Sequence, residues 1–295
     1  MLETILIGVS LGLLGLVLGS FAGATVWRLR ARQLLDDKKA GEEYDKKELT
    51  QLLPLTKGTY GKNDRSRCLH CGYTLKWYDL VPLVSWVSLG GKCRECRKPI
   101  GVFEPLMELG TAAFFVGSFL LWPESLTTTL GLVHFVLWLI AGVLFAILFA
   151  YDYKWFLLLD RVNGALIAVG AVWAVIVIAT SADPLAAGFS VAGSVAVLSG
   201  LYLVLNLVSR GLWVGWGDVK LGLGLGLLLA DWRLALIALF SANLIGTLVV
   251  LPGMITGKLK SGSRVPFGPL LILGAIVAVI GGPLIAIWYS SLLSI

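Results

Sequence analysis

Eight apolar stretches separated by polar ones decide what this chain can fold into. They cover residues 5–27, 106–122, 130–151, 162–179, 185–208, 214–230, 234–255 and 267–289. Most approach the roughly 20 residues that a helix needs to cross the hydrocarbon core of a bilayer. Of 295 residues, 57% are hydrophobic and 14% charged, which is more apolar sequence than a soluble core can bury. The expected fold is an all-α polytopic membrane protein of about eight transmembrane helices. The first stretch is longer than a signal-peptide core and lacks a convincing cleavage site before its basic flank, so it is expected to remain as a helix.

Orientation follows from Lys and Arg, which accumulate in cytoplasmic loops. With the N-terminus outside, the inner side receives residues 28–105, 152–161, 210–220 and 257–264. These hold 23 of the 24 Lys and Arg and leave only Arg233 outside. The net charge of +6 is then a consequence of topology and of contact with anionic lipid, and it requires no nucleic-acid partner. Trp27, Trp122, Tyr151, Trp155, Trp232, Trp288 and Tyr289 fall at segment ends, as aromatic belts do. Three parts are expected: a first transmembrane helix (1–27), a cytoplasmic four-cysteine domain with a charged insertion (28–104), and a seven-helix membrane domain (105–295).

All four cysteines lie in the second part, as Cys68-Leu-His-Cys71 and Cys93-Arg-Glu-Cys96. Two such knuckles at this separation supply four thiolates to a tetrahedral Zn²⁺ in a zinc-ribbon arrangement. A reducing cytoplasmic side favours metal over disulfides. A site closed by four sulfurs has no open position for water, which makes the metal structural. His70 reads as a surface residue, and His134, inside an apolar stretch, as a side chain satisfied by an interhelical hydrogen bond. The stretch 77–91 between the knuckles is broken by Pro82 and a Gly pair, and reads as an ordered hairpin or an interfacial patch lying on the membrane. The charge blocks of 36–47 read as a solvated helix or mobile loop, and Gly19, Ser20, Ala22, Gly23 and Ala24 as a close-packing helix face.

The chemistry points to two aspartates. Asp218 stands in Val214-Gly-Trp-Gly-Asp-Val-Lys, in or near the membrane, where ionisable groups are costly and mark working sites. A helix starting at about Val214 places Asp218 and Lys220 about one turn inside it, and the bland alternative is an interfacial Asp218 paired with Lys220. Asp152 ends the third apolar stretch, where a carboxylate opposes the helix dipole and needs another justification. Asp160 is placed to cap the next helix. Glu108 lies in the second stretch, one turn after Glu104, with Pro105 between them. Two carboxylates at one depth suit aspartyl chemistry, in which one keeps its proton while the other activates a water. Gly215 and Gly217, with Lys220, Glu108 and Asp160, are the supporting candidates. The segment Val265-Pro-Phe-Gly-Pro269 forms a rigid lead-in to the last helix that can face the same site.

With these residues assembled, the chain resembles the bacterial type IV prepilin peptidases, the bifunctional leader peptidases and N-methyltransferases of pilus and type II secretion systems. The resemblance runs through Gly19-Ser-Phe21 with Arg28, the four-cysteine stretch with Asp79-Leu-Val-Pro-Leu-Val-Ser-Trp86, and Pro105-Leu-Met-Glu108. It continues through Asp152 with Asp160, the GxGD motif Gly215-Trp-Gly-Asp218, and Pro266-Phe-Gly-Pro269. The chain differs from the family pattern at Gly23, Leu159, Phe103-Glu104 and a long stretch from about 31 to 63. The resemblance implies an aspartic endopeptidase with Asp152 and Asp218 as the catalytic pair. It implies prepilin or pseudopilin precursors as substrates, cut after the leader glycine on the cytoplasmic side of the inner membrane. It further implies methylation of the new N-terminus from S-adenosylmethionine, with Gly91 and Lys92 beside the second knuckle as methyltransferase candidates. Two other readings are open to the residues themselves: a zinc-ribbon membrane scaffold without catalysis, and a transporter using its carboxylates as proton relays.

Overall fold

The computed structural model describes residues 1–56, 65–257 and 264–293. Most of the loop 257–264 lies outside the described residues, as does 57–63 of the inserted stretch, and the side chains of Trp288 and Tyr289 are likewise outside what is described. Helices occur at all eight apolar stretches, and among the described residues the β pairing consists of two isolated bridges. Among the described residues, six helices are long and apolar enough to cross a membrane. The chain divides into two compact units, Met1–Leu120 and Leu121–Ile295.

The first unit is built on α1 (Leu2–Ala40) and α4 (Phe103–Leu121). The small residues of α1 do what their spacing suggests. A Cβ at Gly15 would lie 2.6 Å from Ala112 Cα, and one at Gly19 would lie 2.7 Å from Glu108 Cα, so the two backbones meet where side chains are missing. Helix α1 does not stop near Trp27 but continues through the basic residues to Ala40, ended by Gly41 in the left-handed conformation. Helix α2 (Lys46–Leu52) folds back on this extension, capped by Asp45, whose carboxylate accepts from the N–H groups of Lys47 and Glu48. Ala31, Leu34, Leu49 and Leu52 form a small buried core between them, and Arg30 pairs with Glu48 at 2.6 Å. The charged stretch is therefore an ordered helical hairpin rather than a mobile loop. After the short helix α3 (Val84–Ser88) the chain enters α4.

The second unit holds α5 (Thr129–Trp155), α6 (Asp160–Thr180), α7 (Pro184–Val195), α8 (Leu201–Ser209), α9 (Trp216–Leu229), α10 (Trp232–Ile255) and α11 (Phe267–Leu293). Helices α7 and α8 form one span, Pro184–Ser209, interrupted by a π turn over Ala196–Gly200. Helix α9 has 14 residues, a length of about 21 Å, and is shorter than the hydrocarbon core. Its glycines admit neighbours on two sides. A Cβ at Gly222 would lie 2.5 Å from the Leu198 carbonyl oxygen of the π turn, and one at Gly224 would lie 2.9 Å from Leu166 of α6. Ser194 and Ser199 donate from the π-turn side to the carbonyls of Gly226 and Val219. The result is a short helix buried among longer ones, whose N-terminal turn carries Asp218.

His134 is buried but does not bridge helices as its sequence setting suggests. Its Nδ1 pairs at 2.9 Å with Glu124 of the loop before α5, and its ring stacks on Trp173 of α6 at 4.4 Å. His70 is exposed, as expected.

Candidate active site

Helix α5 ends at Trp155 because Phe156 turns left-handed and returns its N–H to the Asp152 carbonyl. Asp152 is thus in the last turn, only 5% exposed, where the dipole of its own helix disfavours a carboxylate. Its side chain is satisfied from elsewhere. The N–H of Gly268, in the first turn of α11, donates to Asp152 Oδ2 at 2.9 Å, so the carboxylate sits at the positive end of another helix. A Cβ at Gly268 would lie 2.8 Å from that oxygen, which explains a glycine at this position.

Asp218 is the third residue of α9, which begins at Trp216 rather than at Val214, so the carboxylate lies in the first turn and not one turn inside. The Gly215 N–H donates to Asp218 Oδ2 at 3.2 Å, the reach-back of an acidic third residue to the cap. The loop before it is held by two asparagines. Asn206 Nδ2 donates to the Val214 carbonyl at 2.6 Å, and Asn163 Nδ2 to the Gly217 carbonyl at 3.2 Å. Gly217 is needed for close approach, because a Cβ there would lie 2.8 Å from Leu158 Cβ. Asp152 and Asp218 line one cavity of about 500 Å³, together with Phe156, Trp213, Arg264 and Phe267.

The supporting candidates separate. Lys220 does not pair with Asp218; its Nζ donates to Asp160 Oδ1 at 2.6 Å and ties the second turn of α9 to the first turn of α6. Asp160 is the first residue of α6 rather than its cap, a position taken by Leu159 without a side-chain hydrogen bond. Glu108 lies in the other unit and is buried at 6% exposure, where its Oε2 accepts from the Leu83 N–H at 2.8 Å. Gly268, Asn163 and Asn206 join the site although none of them is a titratable or metal-binding residue. The signal for the asparagines was present, since each interrupts an otherwise apolar stretch.

The four cysteines converge. Cys68 and Cys96 sulfurs are 3.9 Å apart, Cys71 and Cys93 are 4.0 Å apart, and all four lie within 4.8 Å of one another. Tetrahedral thiolates about 2.3 Å from a central ion stand about 3.8 Å apart, so the donor set fits a metal. The two knuckles repeat one turn: the Cys68 N–H bonds the Tyr73 carbonyl, the Cys93 N–H bonds the Lys98 carbonyl, and Gly72 and Arg97 adopt matching positive φ of 73° and 59°. Burial pushes the Cys68 thiol up to about 12, so without a cation it keeps its proton. Gly91 is buried at φ 67°, where a Cβ would lie 3.0 Å from the Trp86 ring, and Lys92 beside it is exposed.

Residues 13–122 match the family described as Bacterial Peptidase A24 N-terminal domain. Over most of its length the chain is similar to the type 4 prepilin-like proteins leader peptide-processing enzyme of Escherichia coli O78:H11, at 30% identity over 90% of each chain. It is 29% identical to a prepilin leader peptidase/N-methyltransferase of Pseudomonas aeruginosa, over 92% of this chain and 89% of that one. With one of Aeromonas hydrophila it shares 30% identity, over 76% and 74% respectively. No solved structure matches it. The chain belongs to the prepilin leader peptidase/N-methyltransferase family.

Proposed function

We propose that this protein is a membrane aspartic endopeptidase that removes the leader of type IV prepilins or pseudopilins and then methylates the new N-terminus. The observation that carries the peptidase reading is the pair of carboxylates on one cavity, each anchored through one oxygen by a backbone N–H at a helix N-terminus. Anchoring one oxygen leaves the other of each carboxylate for chemistry. One of Asp152 and Asp218 is ionised and takes a proton from water as it attacks the scissile carbonyl; the other is protonated and donates to the carbonyl oxygen. Collapse of the tetrahedral adduct breaks the C–N bond, and the proton first taken from water passes to the leaving amine. The cavity, lined also by Trp213 and Phe267, is where the scissile segment of a precursor would lie.

The distribution of Lys and Arg supports an inner-membrane protein with its N-terminus outside and both the four-cysteine domain (28–104) and the aspartates facing the cytoplasm. Zn²⁺ on Cys68, Cys71, Cys93 and Cys96 would fix the knuckles as a structural ion. S-adenosylmethionine, when bound, would supply the methyl group, which the new amine in its neutral form would take with S-adenosylhomocysteine leaving. Methyl transfer is assigned to the four-cysteine domain, with Lys92 offered at the surface and Gly91 shaping the turn beneath it.

The test is the mass of a co-expressed pilin precursor's N-terminus. Wild-type protein should yield a shortened, methylated pilin, and Asp152→Asn or Asp218→Asn, each shown to be inserted, should leave the precursor full length. Processing by either variant would remove the dyad from the mechanism.

A further inference from the structure

The segment between the knuckles sorts its side chains in the opposite sense to a soluble domain. Its apolar residues face out, with Trp77 76% exposed, Leu80 41%, Val81 37%, Val84 64% and Val87 68%. Two of its polar side chains, Asp79 and Trp86, are instead turned to internal partners. The Asp79 side chain is 4% exposed, paired with Arg94 at 2.8 Å and accepting from the Lys76 N–H at 3.1 Å. Trp86 donates its indole N–H to the Gly101 carbonyl at 2.7 Å. Water is the wrong solvent for the surface that remains.

The structure also fixes where that surface lies along the membrane normal. Helix α4 has 19 residues and a length of about 28 Å, close to the roughly 30 Å of the hydrocarbon core, so as a span it would set its ends at the two bilayer boundaries. Glu108 is in its second turn, and the Glu108 carboxylate holds the Leu83 N–H at 2.8 Å. Leu83 keeps φ at 58° to make this contact, a conformation costly for a branched side chain and one that needs a fixed partner. The apolar surface is therefore pinned at the level of the first turns of α4. Ile100, Val102 and Leu106, at and just before the start of α4, are exposed too, as are Lys76, Lys92 and Lys98.

We propose that the segment from Trp77 to Val87 docks on the bilayer, setting Trp77, Leu80, Val81, Val84 and Val87 among the acyl chains with the neighbouring lysines on anionic headgroups. The four-cysteine module is then a surface-lying membrane element, not a domain suspended in water. Trp at the boundary and lysines reaching outward match the chemistry of that layer. The proposal rests on α4 crossing the membrane and not on either catalytic reading.

The test uses full-length, metal-loaded protein in nanodiscs of phosphatidylethanolamine and phosphatidylglycerol, with a photoreactive benzoylphenylalanine placed singly at positions 84, 87, 109 and 43. Leu109 on α4 is half exposed and reports whether that helix is in lipid; Glu43, beyond the long extension of α1, should stand clear of it. Several-fold more lipid adduct at 84 and 87 than at 43 is expected. Adducts to lipid at 109, but only to pilin, to a second copy or to nothing at 84 and 87, would overturn the docking while leaving α4 as a span. Absence of lipid adduct at 109 would instead overturn its premise. A second readout needs no bulky probe: emission lost in Trp77→Phe should be quenched by brominated lipid, and its insensitivity would also sink the idea.

Discussion

At the residue scale, Asp152 was conspicuous in the sequence because it stands where its own helix repels it, but what resolves the conflict was not legible. Its partner, the Gly268 N–H, lies 116 positions away and belongs to the backbone, which leaves no chemical signature in a side-chain pattern. Asp218 was more readable, since its anchor is three residues away within the same motif. The bland alternative of an Asp218–Lys220 pair rested on the same locality: Lys220 is two positions from Asp218 in sequence, yet its ammonium reaches Asp160 of α6. Gly268→Ala tests the anchor. A methyl 2.8 Å from Asp152 Oδ2 must displace the carboxylate or the first turn of α11, and a charge-assisted hydrogen bond is worth about 1.5–3 kcal/mol. Turnover should fall by about ten- to a hundredfold, read from cleavage kinetics on a purified precursor, with a drop of several degrees in unfolding temperature. Unaltered kinetics would show that the N–H plays no part in setting the dyad.

At the element scale, hydropathy located every membrane-type helix, because burial in lipid demands long apolar runs whatever the tertiary structure. It could not find the extension of α1 or helix α2, whose buried Ala31, Leu34, Leu49 and Leu52 are scattered among charges and form a core only when the chain doubles back. Nor could it find the π turn in the span Pro184–Ser209, whose Leu198 carbonyl packs against Gly222 of a helix distant in sequence. The link between α4 and the hairpin is equally tertiary, a carboxylate on one element reaching a backbone N–H on another. Glu108→Ala should leave the Leu83 N–H buried without that acceptor, at a cost of about 1–3 kcal/mol to the first unit. The measurement is thermal unfolding in detergent, compared with Glu108→Gln, whose amide oxygen can still accept and which should lose less. Equal losses for the two would assign the role of Glu108 to its charge.

At the scale of the whole chain, the two compact units carry different kinds of restraint, and this should let the two activities be separated. The aspartates are held inside the second unit by helix N–H groups and by the asparagine contacts to Val214 before α9 and to Gly217 in its first turn. The four-cysteine module has one β bridge per knuckle and a core of four buried residues in its helical hairpin, too little to fix its turns without a metal. Dialysis against a strong chelator should therefore make all four thiols reactive and abolish methylation, while cleavage of a precursor stays within a few-fold of the untreated rate. Added Zn²⁺ should restore the methyl and protect the thiols again, both followed by mass spectrometry. The converse variants, Asp152→Asn and Asp218→Asn, should leave the metal content and thiol protection unchanged while blocking cleavage. If chelation instead abolished cleavage and methylation together, and Zn²⁺ restored both, the metal-bound module would have to help build the peptidase site or hold its substrate, and the division of labour between the two units would be wrong.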